Sequence, residues 1–379
     1  MNEVYFPALF PGFPLPEELV EALGRLSVVH AELDRETRTI RLDAQAEQYL
    51  AEKQLQALCR DIEKEYGLRE LKLSVRFPDE RAVRRLAQRL AATAGRRLDD
   101  ASPYVDARLP DGARLHAVLP PVAPEGTCLS LRLPRRRAFT IDELVAAGTV
   151  PAGGAQVLRA LVRARAAFLV TGGTGTGKTT LLAALLSMVD AGERLVLVED
   201  SAELRPNHDH AVRLETRPPN VEGAGGVVLR DLVRQALRMR PDRLVVGEVR
   251  GGEVVDLLAA LNTGHEGGCG TLHANTAADV PARVEALAVA AGLSREAVHS
   301  QLTSAIDVVL HVVRDPAGGC RRVGEIRVLR RGPDELVTAV PAVTFEPGGE
   351  VRQHEGVGLL ARRLGGALDM RTANPGEAS

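Results

Sequence analysis

Residues 167–180, Ala-Phe-Leu-Val-Thr-Gly-Gly-Thr-Gly-Thr-Gly-Lys-Thr-Thr, restrict the fold more tightly than any other stretch of this chain. Ala167 to Val170 reads as a buried strand, and Leu181, Leu182, Ala184 and Leu185 follow at helical spacing. Between them Gly172, Gly177, Lys178 and Thr179 satisfy G-x-x-x-x-G-K-[ST] at every fixed position. Strand, glycine loop and helix in that order are the context of a phosphate-binding loop. A triphosphate needs hydrogen-bond donors all round it. Gly172, Gly173, Gly175 and Gly177 let backbone N–H groups approach closely, and Thr174, Thr176 and Thr180 belong to the same cradle. The helix start adds a partial positive charge. Lys178 can reach the β- and γ-phosphates, and the Thr179 hydroxyl can ligate Mg2+.

Length and composition bound the rest. At 379 residues there is room for two or three domains. A hydrophobic content of 45% with 26% charged residues is that of an ordinary globular chain. The net charge of −2 gives no global basic field to draw nucleic acid or anionic lipid. Cys59, Cys128, Cys269 and Cys320 form no C-x-x-C pair, so neither zinc nor a disulfide framework is indicated, which suits a reducing compartment. No apolar run approaches the ~18 residues of a membrane span, and no basic start with an apolar core marks a signal peptide. A cytoplasmic protein is expected, one able to dock on a membrane complex.

Residues 1–74 read as a small α/β segment. Val28 to Leu33 and Arg38 to Leu42 pair across a polar turn, Leu55, Leu58, Ile62 and Tyr66 sit at helical spacing, and Leu71 to Phe77 alternates as a strand does. Phe6, Phe10 and Phe13 among prolines read as a tethered arm. Residues 81–94 form an amphipathic helix whose other face is basic, with Arg84, Arg85 and Arg89 continuing to Arg96 and Arg97. That face is either solvated or a nucleic-acid or subunit contact. Residues 105–109 and 114–119 are hairpin-like, and 128–133 is another strand. The domain boundary is expected within 134–155, where Thr140-Ile-Asp-Glu143 is a capping box and Pro151 to Gly154 a turn.

Beyond it, strands at 167–171, 195–199, 211–215, 243–248 and 269–273 alternate with helices at 178–190, 229–239, 253–262 and 277–291, the mark of a parallel sheet. Asp307 to Val313 and Arg322 to Leu329 read as closing strands. Pro218-Pro219 and Gly223 to Gly226 mark a mobile loop, and a disordered tail is expected over 366–379. Two of the strands run through apolar residues into acids. Leu195 to Val198 leads to Glu199 and Asp200, with Glu203 close by, and Leu244 to Gly247 leads to Glu248. In such a sheet both would emerge beside the phosphates, where a carboxylate can hold Mg2+ or orient an attacking water. His265 and His273 lie in a glycine-rich segment suited to sensing a γ-phosphate, and two histidines eight apart do not by themselves make a metal site. Arg108, Arg114, Arg132, Arg238, Arg240, Arg243 and Arg250 are candidates to stabilise transition-state charge.

Together, Gly172 to Thr180, Val198 to Leu204, Leu237 to Arg250 and Asn262 to Thr276 resemble the secretion and pilus-assembly ATPases. The closest similarity is to the CpaF/TadA branch, including its conjugal-transfer-associated actinobacterial members. Val105 to Gly112 and Leu131-Arg132 also look like that branch, and the resemblance spans about residues 75–330. It implies an α/β fold: a RecA-like P-loop ATPase domain over 155–365, a smaller PAS-like α/β domain over 75–134 and a linker over 135–154. It also implies ATP and Mg2+, bound between domains and adjacent subunits of a homo-hexameric ring on inner-membrane platform proteins. By the same resemblance Glu199, Asp200 and Glu203 form an acidic box. Glu248 positions water, Asp200 and Glu248 join Thr179 at the metal, and His265 and His273 form a histidine box. Arg108, Arg114 and Arg132 reach the phosphates, while Arg240 and Arg250 flank Glu248. Two departures stand out: residues 1–74 do not match the usual N-terminal region, and Gly268-Cys269-Gly270 replaces hydroxyl or larger residues, with little effect expected. The function implied is an ATP-hydrolysing motor; a RecA-like nucleic-acid motor and a non-hydrolysing ATP-bound ring scaffold are the rivals.

Overall fold

The computed structural model describes residues 4–11, 13–16, 19–34, 39–46, 52–68, 70–77, 79–132, 137–217, 224–264, 266–315, 320–346 and 350–365. They fall into two compact units, Met1–Pro134 and Arg135–Ser379.

The first unit holds two sheets with separate apolar cores. β1 (Val4–Tyr5), β2 (Ser27–Asp34), β3 (Thr39–Gln45) and β4 (Glu70–Arg76) form one, in that order. β2 and β3 make the expected antiparallel hairpin. β3 and β4 run parallel, because α3 (Glu52–Tyr66) carries the chain back between them. The phenylalanines near the start are not a tethered arm. Phe6, in α1 (Phe6–Leu9), and Phe10 are buried with Leu23 of α2 (Val20–Gly24), and Phe13 packs against them. The rings of Phe6 and Phe10 have centroids 5.3 Å apart. Prolines already restrict this stretch, and burying each ring stabilises it by roughly 1.5–3 kcal/mol, so it folds onto the core.

In the second sheet β5 (Tyr104–Arg108), β6 (Arg114–Val118) and β7 (Cys128–Arg132) are antiparallel. α4 (Glu80–Thr93) starts at Asp79, whose side chain accepts the Ala82 amide, and its Ala87 and Ala91 share a core with Val105, Ala107, Leu115 and Ala117. The alternate residues form the outer face, where Arg108 stands opposite Arg114 and Arg114 opposite Arg132.

The second unit begins with α5 (Ile141–Ala146), which opens on the expected capping box of Thr140 and Glu143. Ile141, Leu144 and Val150, in the stretch expected to be a linker, enter the core of this unit. The turn expected at Pro151 to Gly154 is instead the start of α6 (Ala152–Arg163), with Pro151 as its N-cap. Val157, Leu158 and Leu161 are buried along one side, and that burial outweighs the ~1 kcal/mol that each glycine costs a helix.

β8 (Phe168–Thr171), β9 (Leu195–Glu199), β10 (Ala211–Glu215), β11 (Arg243–Val249), β12 (Cys269–Leu272), β13 (Val308–Arg314), β14 (Arg321–Arg331), β15 (Val337–Phe345) and β16 (Val351–Gln353) form one sheet, ordered β10-β9-β11-β12-β8-β13-β14-β15-β16. Pairing is parallel from β10 to β13 and antiparallel from β13 to β16. The connecting helices are α7 (Lys178–Leu186), α8 (Leu229–Leu237), α9 (Glu253–Leu261), α10 (Val280–Ala290), α11 (Arg295–Ala305) and α12 (Val357–Arg363). They cover both faces. Phe168 and Val170 share a core with α5, α6, α7 and α12, while Leu169 shares the other with α8 to α11. Successive strand residues point to opposite faces, so one continuous apolar run supplies both cores. The closing strands expected from Asp307 are β13 and β14; α11, β15, β16 and α12 are further elements within 155–365 that the sequence reading did not name. Residues 218–223 of the expected mobile loop and the tail 366–379 lie outside the described residues.

Candidate active site

Ligands of a parallel sheet gather beyond the carboxyl ends of its strands. β8 leads there into the glycine loop, β9 into Asp200 and β12 into His273, while Glu248 is the last but one residue of β11. Gly172 sits at φ 145°, and a Cβ on it would stand 2.3 Å from the Val312 carbonyl oxygen, so no other residue fits. Gly177, in the left-handed region at φ 100°, turns the chain into α7. Thr176 Oγ1 donates to the Gly173 carbonyl at 3.0 Å. Lys178 is buried, and its Nζ donates to the carbonyls of Gly172 at 3.0 Å and Gly173 at 2.9 Å. Thr174 and Gly175 are exposed at the rim, and Thr179 and Thr180 are half-buried.

Lys178 Nζ also lies 3.3 Å from both ring nitrogens of His273. His273 Nε2 is 2.8 Å from Glu248 Oε1, at an angle that leaves this buried oxygen without a hydrogen-bond donor among the described residues. Arg250 closes the cluster. Its Nη2 donates to Glu248 Oε2 at 2.7 Å, and its Nη1 is 4.0 Å from Asp200 Oδ2. Burial lowers the pKa of Lys178. Burial, then the Lys178 charge, lowers that of His273, whose ring is neutral at neutral pH. For Glu248 burial works upward, but the Arg250 hydrogen bond and charge, with His273 and Lys178, hold the carboxyl below the usual glutamate range. The result is an ionised carboxylate with one oxygen on a guanidinium and the other buried without a donor, beside an ammonium and a neutral imidazole. Such a set can orient a water and offset negative charge developing on a phosphoryl group.

Glu199 behaves differently. It is 4% exposed, and its Oε1 accepts the backbone amides of Glu203 at 3.0 Å and Leu204 at 2.9 Å. Burial pushes its carboxyl up to about 7. It holds the loop that carries Glu203, while Asp200 stays on the exposed side. Two supporting residues escaped the sequence reading. Glu253 Oε1 accepts the amides of Arg250 at 2.6 Å and Gly251 at 2.7 Å, pinning the turn from which Arg250 reaches Glu248. Its signal was an acid in the first turn of a helix. Thr271 Oγ1 donates to the Gly247 carbonyl at 2.7 Å, for which the sequence offers no signal.

The arginines separate. Arg250 joins the cluster. Arg240 is exposed in the turn before β11, and the strand carries the chain roughly 17 Å further, from Arg243 to Glu248. Arg243 is 2% exposed and structural, bonded to Glu193 at 2.8 Å and to the Val162 carbonyl at 2.9 Å. Arg238 caps the end of α8. Arg108, Arg114 and Arg132 form their row in the first unit, and Arg114 pairs with Asp106 at 3.3 Å. His265 lies outside the described residues. Cys269 is buried, its thiol pushed up to about 12, so the middle of the glycine-rich segment is core.

A family model described as Type II/IV secretion system protein matches residues 53–357. The chain belongs to that family. Among relatives of this secretion-family chain, a putative conjugal transfer protein of Mycobacterium tuberculosis (strain ATCC 25618 / H37Rv) is 61% identical over 271 residues, 70% of this chain and 76% of that protein. The probable conjugal transfer protein TrbB of Sinorhizobium fredii is 34% identical, over 62% of this chain and 70% of its own length. The type IV secretion system protein PtlH of Bordetella pertussis is 35% identical, over 58% and 73%. Among solved structures, the pilus retraction motor PilT with bound ADP is 20% identical with a TM-score of 0.47, covering 78% of this chain and 77% of that one. The VirB11 ATPase of Brucella suis, in complex with sulphate, is 26% identical with a TM-score of 0.41, covering 66% and 81%. The RecA-like α/β fold of this family member rests on its own strand order, with the glycine loop following a central strand.

Proposed function

We propose that this secretion-family chain is a Mg2+-dependent ATPase motor of the CpaF/TadA type. Its cycle powers Flp/Tad pilus assembly or type II/IV secretion from the cytoplasmic side of the inner membrane. The observation that carries this reading is the cluster of Lys178, His273, Glu248 and Arg250, drawn from separate elements to one end of the sheet. Lys178 exchanges the Gly172 and Gly173 carbonyls for phosphate oxygens, and the Glu248 oxygen that lacks a donor takes the attacking water. Among the described residues no group of three or more His, Cys, Asp or Glu side chains is arranged to hold a metal alone. That suits Mg2+, which takes one or two carboxylates and completes its shell with phosphate oxygens and water. Thr179, Asp200 and Glu248 would hold it, and when bound it neutralises charge on the phosphates.

Three arginines side by side on the outer face of one sheet concentrate positive charge of the kind a triphosphate attracts. The row Arg108, Arg114 and Arg132 is proposed to add its charge to the bound triphosphate. The separate cores of the first unit support dividing it near residue 75 into an N-terminal segment and a PAS-like domain. A homo-hexameric ring docked on inner-membrane platform proteins completes the reading; no helix among the described residues is long and apolar enough to cross a membrane. The test is phosphate release with ATP and Mg2+. Lys178→Ala should abolish it, chelation should abolish it reversibly, and Glu248→Gln should bind ATP but hardly cleave it. Unchanged rates in both variants would sink this site.

The names of two relatives favour a second reading, a nucleic-acid motor in conjugal transfer. On the basic face of α4, Arg84 pairs with Asp100 at 2.5 Å, while Arg85 and Arg89 stay exposed. Stimulation of turnover by single-stranded DNA, with steep salt dependence, would support that reading; its absence would leave secretion. Measurable phosphate release dismisses a non-hydrolysing scaffold.

A further inference from the structure

The pairing of β8 with β12 ends at Thr171 opposite Leu272. The glycine loop and His273 lie one step beyond, where no ladder hydrogen bond holds them to each other. Yet Lys178 and His273 are in contact. Something else must keep the two segments in register.

A buried histidine on the next strand reaches both. His311, in β13, is 5% exposed and stands opposite Thr171, and its Nδ1 lies 2.9 Å from Thr171 Oγ1. The backbone carbonyl of Asn275, two residues after His273, also acts on this ring and favours its protonated form. A ring whose Nδ1 accepts from the Thr171 hydroxyl carries its proton on Nε2, the nitrogen left to meet that carbonyl. The other acceptor within reach of that hydroxyl, the Leu310 carbonyl, is at 3.4 Å. Burial keeps the ring neutral; of the charged groups around it, Glu325 and Asp279 favour protonation and Arg327 opposes it. The neighbouring Val312 carbonyl is the atom that excludes a side chain at Gly172, so this part of β13 forms the floor of the loop.

We propose that His311 is a positioning residue for ATP turnover, bridging the entry of the phosphate loop to the turn behind His273 so that Lys178, His273 and Glu248 keep their geometry. This rests on the ATPase reading above. The alternative is a core histidine that only fills space, and its replacement would then disturb stability without a selective effect on turnover.

Wild-type phosphate release and ADP affinity are measured first; no release defeats the ATPase reading itself. His311→Leu should then lower turnover about 10-fold or more while ADP affinity stays within about threefold, since misplacing a reacting group costs rate more than binding. His311→Gln can accept from Thr171 and donate to Asn275, and should return turnover to within about threefold of wild type. Thr171→Val should lose as much as His311→Leu, and the double variant no more than the worse single one. Wild-type turnover in His311→Leu, no rescue by Gln, or losses that multiply would each overturn the proposal. Should His311→Leu fail a thermal melt, Thr171→Val decides, and wild-type turnover there refutes the bridge. Independently of turnover, 15N spectra of the labelled imidazole should show a neutral ring protonated on Nε2 over about pH 6–8; a charged ring or the other tautomer would overturn it.

Discussion

β9 and β11 lie side by side and read alike in sequence, each running through apolar residues into an acid. Their acids do opposite things. Glu199 is sealed in the core and bonded to backbone amides, whereas Glu248 is half-buried beside Lys178, His273 and Arg250. The register explains it. Val198 stands beside Val246, and Gly247 lies against Glu199. The ladder of β11 with β12 is irregular between Val246 and Val249, so strict alternation stops before Glu248, whose carboxylate stands beside His273 and Arg250 instead of entering the core. Gly247 is glycine because Glu199 fills its place: a Cβ there would lie 2.6 Å from Glu199 Cγ. An apolar run ending in an acid therefore locates a strand end without revealing which face the acid takes.

The contrast can be broken in several ways. The largest effect is expected from Glu248→Gln, a loss of about 100- to 1,000-fold in turnover, against less than about tenfold for Glu199→Gln. Equal losses would erase the distinction. Gly247→Ala should destabilise the fold by roughly 2–3 kcal/mol through overpacking. A double-mutant cycle with Glu199→Ala, which removes the blocking Cγ, should be non-additive in chemical denaturation; simple additivity would mean that the two positions do not compete for space.

A smaller effect lies in the pH dependence of stability. The Glu199 carboxyl rises from 4.5 to about 7 on folding, so its contribution is complete below about pH 4.5 and is lost as pH rises through about 7. Glu199→Gln should flatten that loss, and melting curves across this window that stay parallel to wild type would count against a buried carboxyl. The subtlest expectation concerns Arg250→Ala. Arg250 lowers the Glu248 carboxyl, so its removal should move the acid limb of the pH–rate profile to higher pH. A limb that does not move would separate Glu248 from the rate.

Local signals carried much of this structure. The strands from β8 to β12 were legible because each is a short apolar run bounded by turn residues, and the Thr140 cap because its partner is only three residues away. What escaped is equally physical. Phe6 and Phe10 looked like an arm because the core they enter is built from residues far along the chain. The start of α6 looked like a turn because its glycines are locally unfavourable and only burial of Val157, Leu158 and Leu161 overrules them. Among the candidate site residues, the sequence named Lys178, Glu248, His273 and Arg250 without showing that they meet. The burial of Arg243 and the distance of Arg240 were not legible, since the two arginines are three residues apart on the same strand entry.

The amino-acid order alone specified a glycine loop between a buried strand and a helix, because its glycines act through backbone geometry over fewer than ten residues. Only the tertiary structure decided which acid faces that loop, which arginine joins it and which histidine lies beneath it. Those outcomes depend on how neighbouring strands are aligned, and alignment is set by packing across the whole sheet rather than by any one segment.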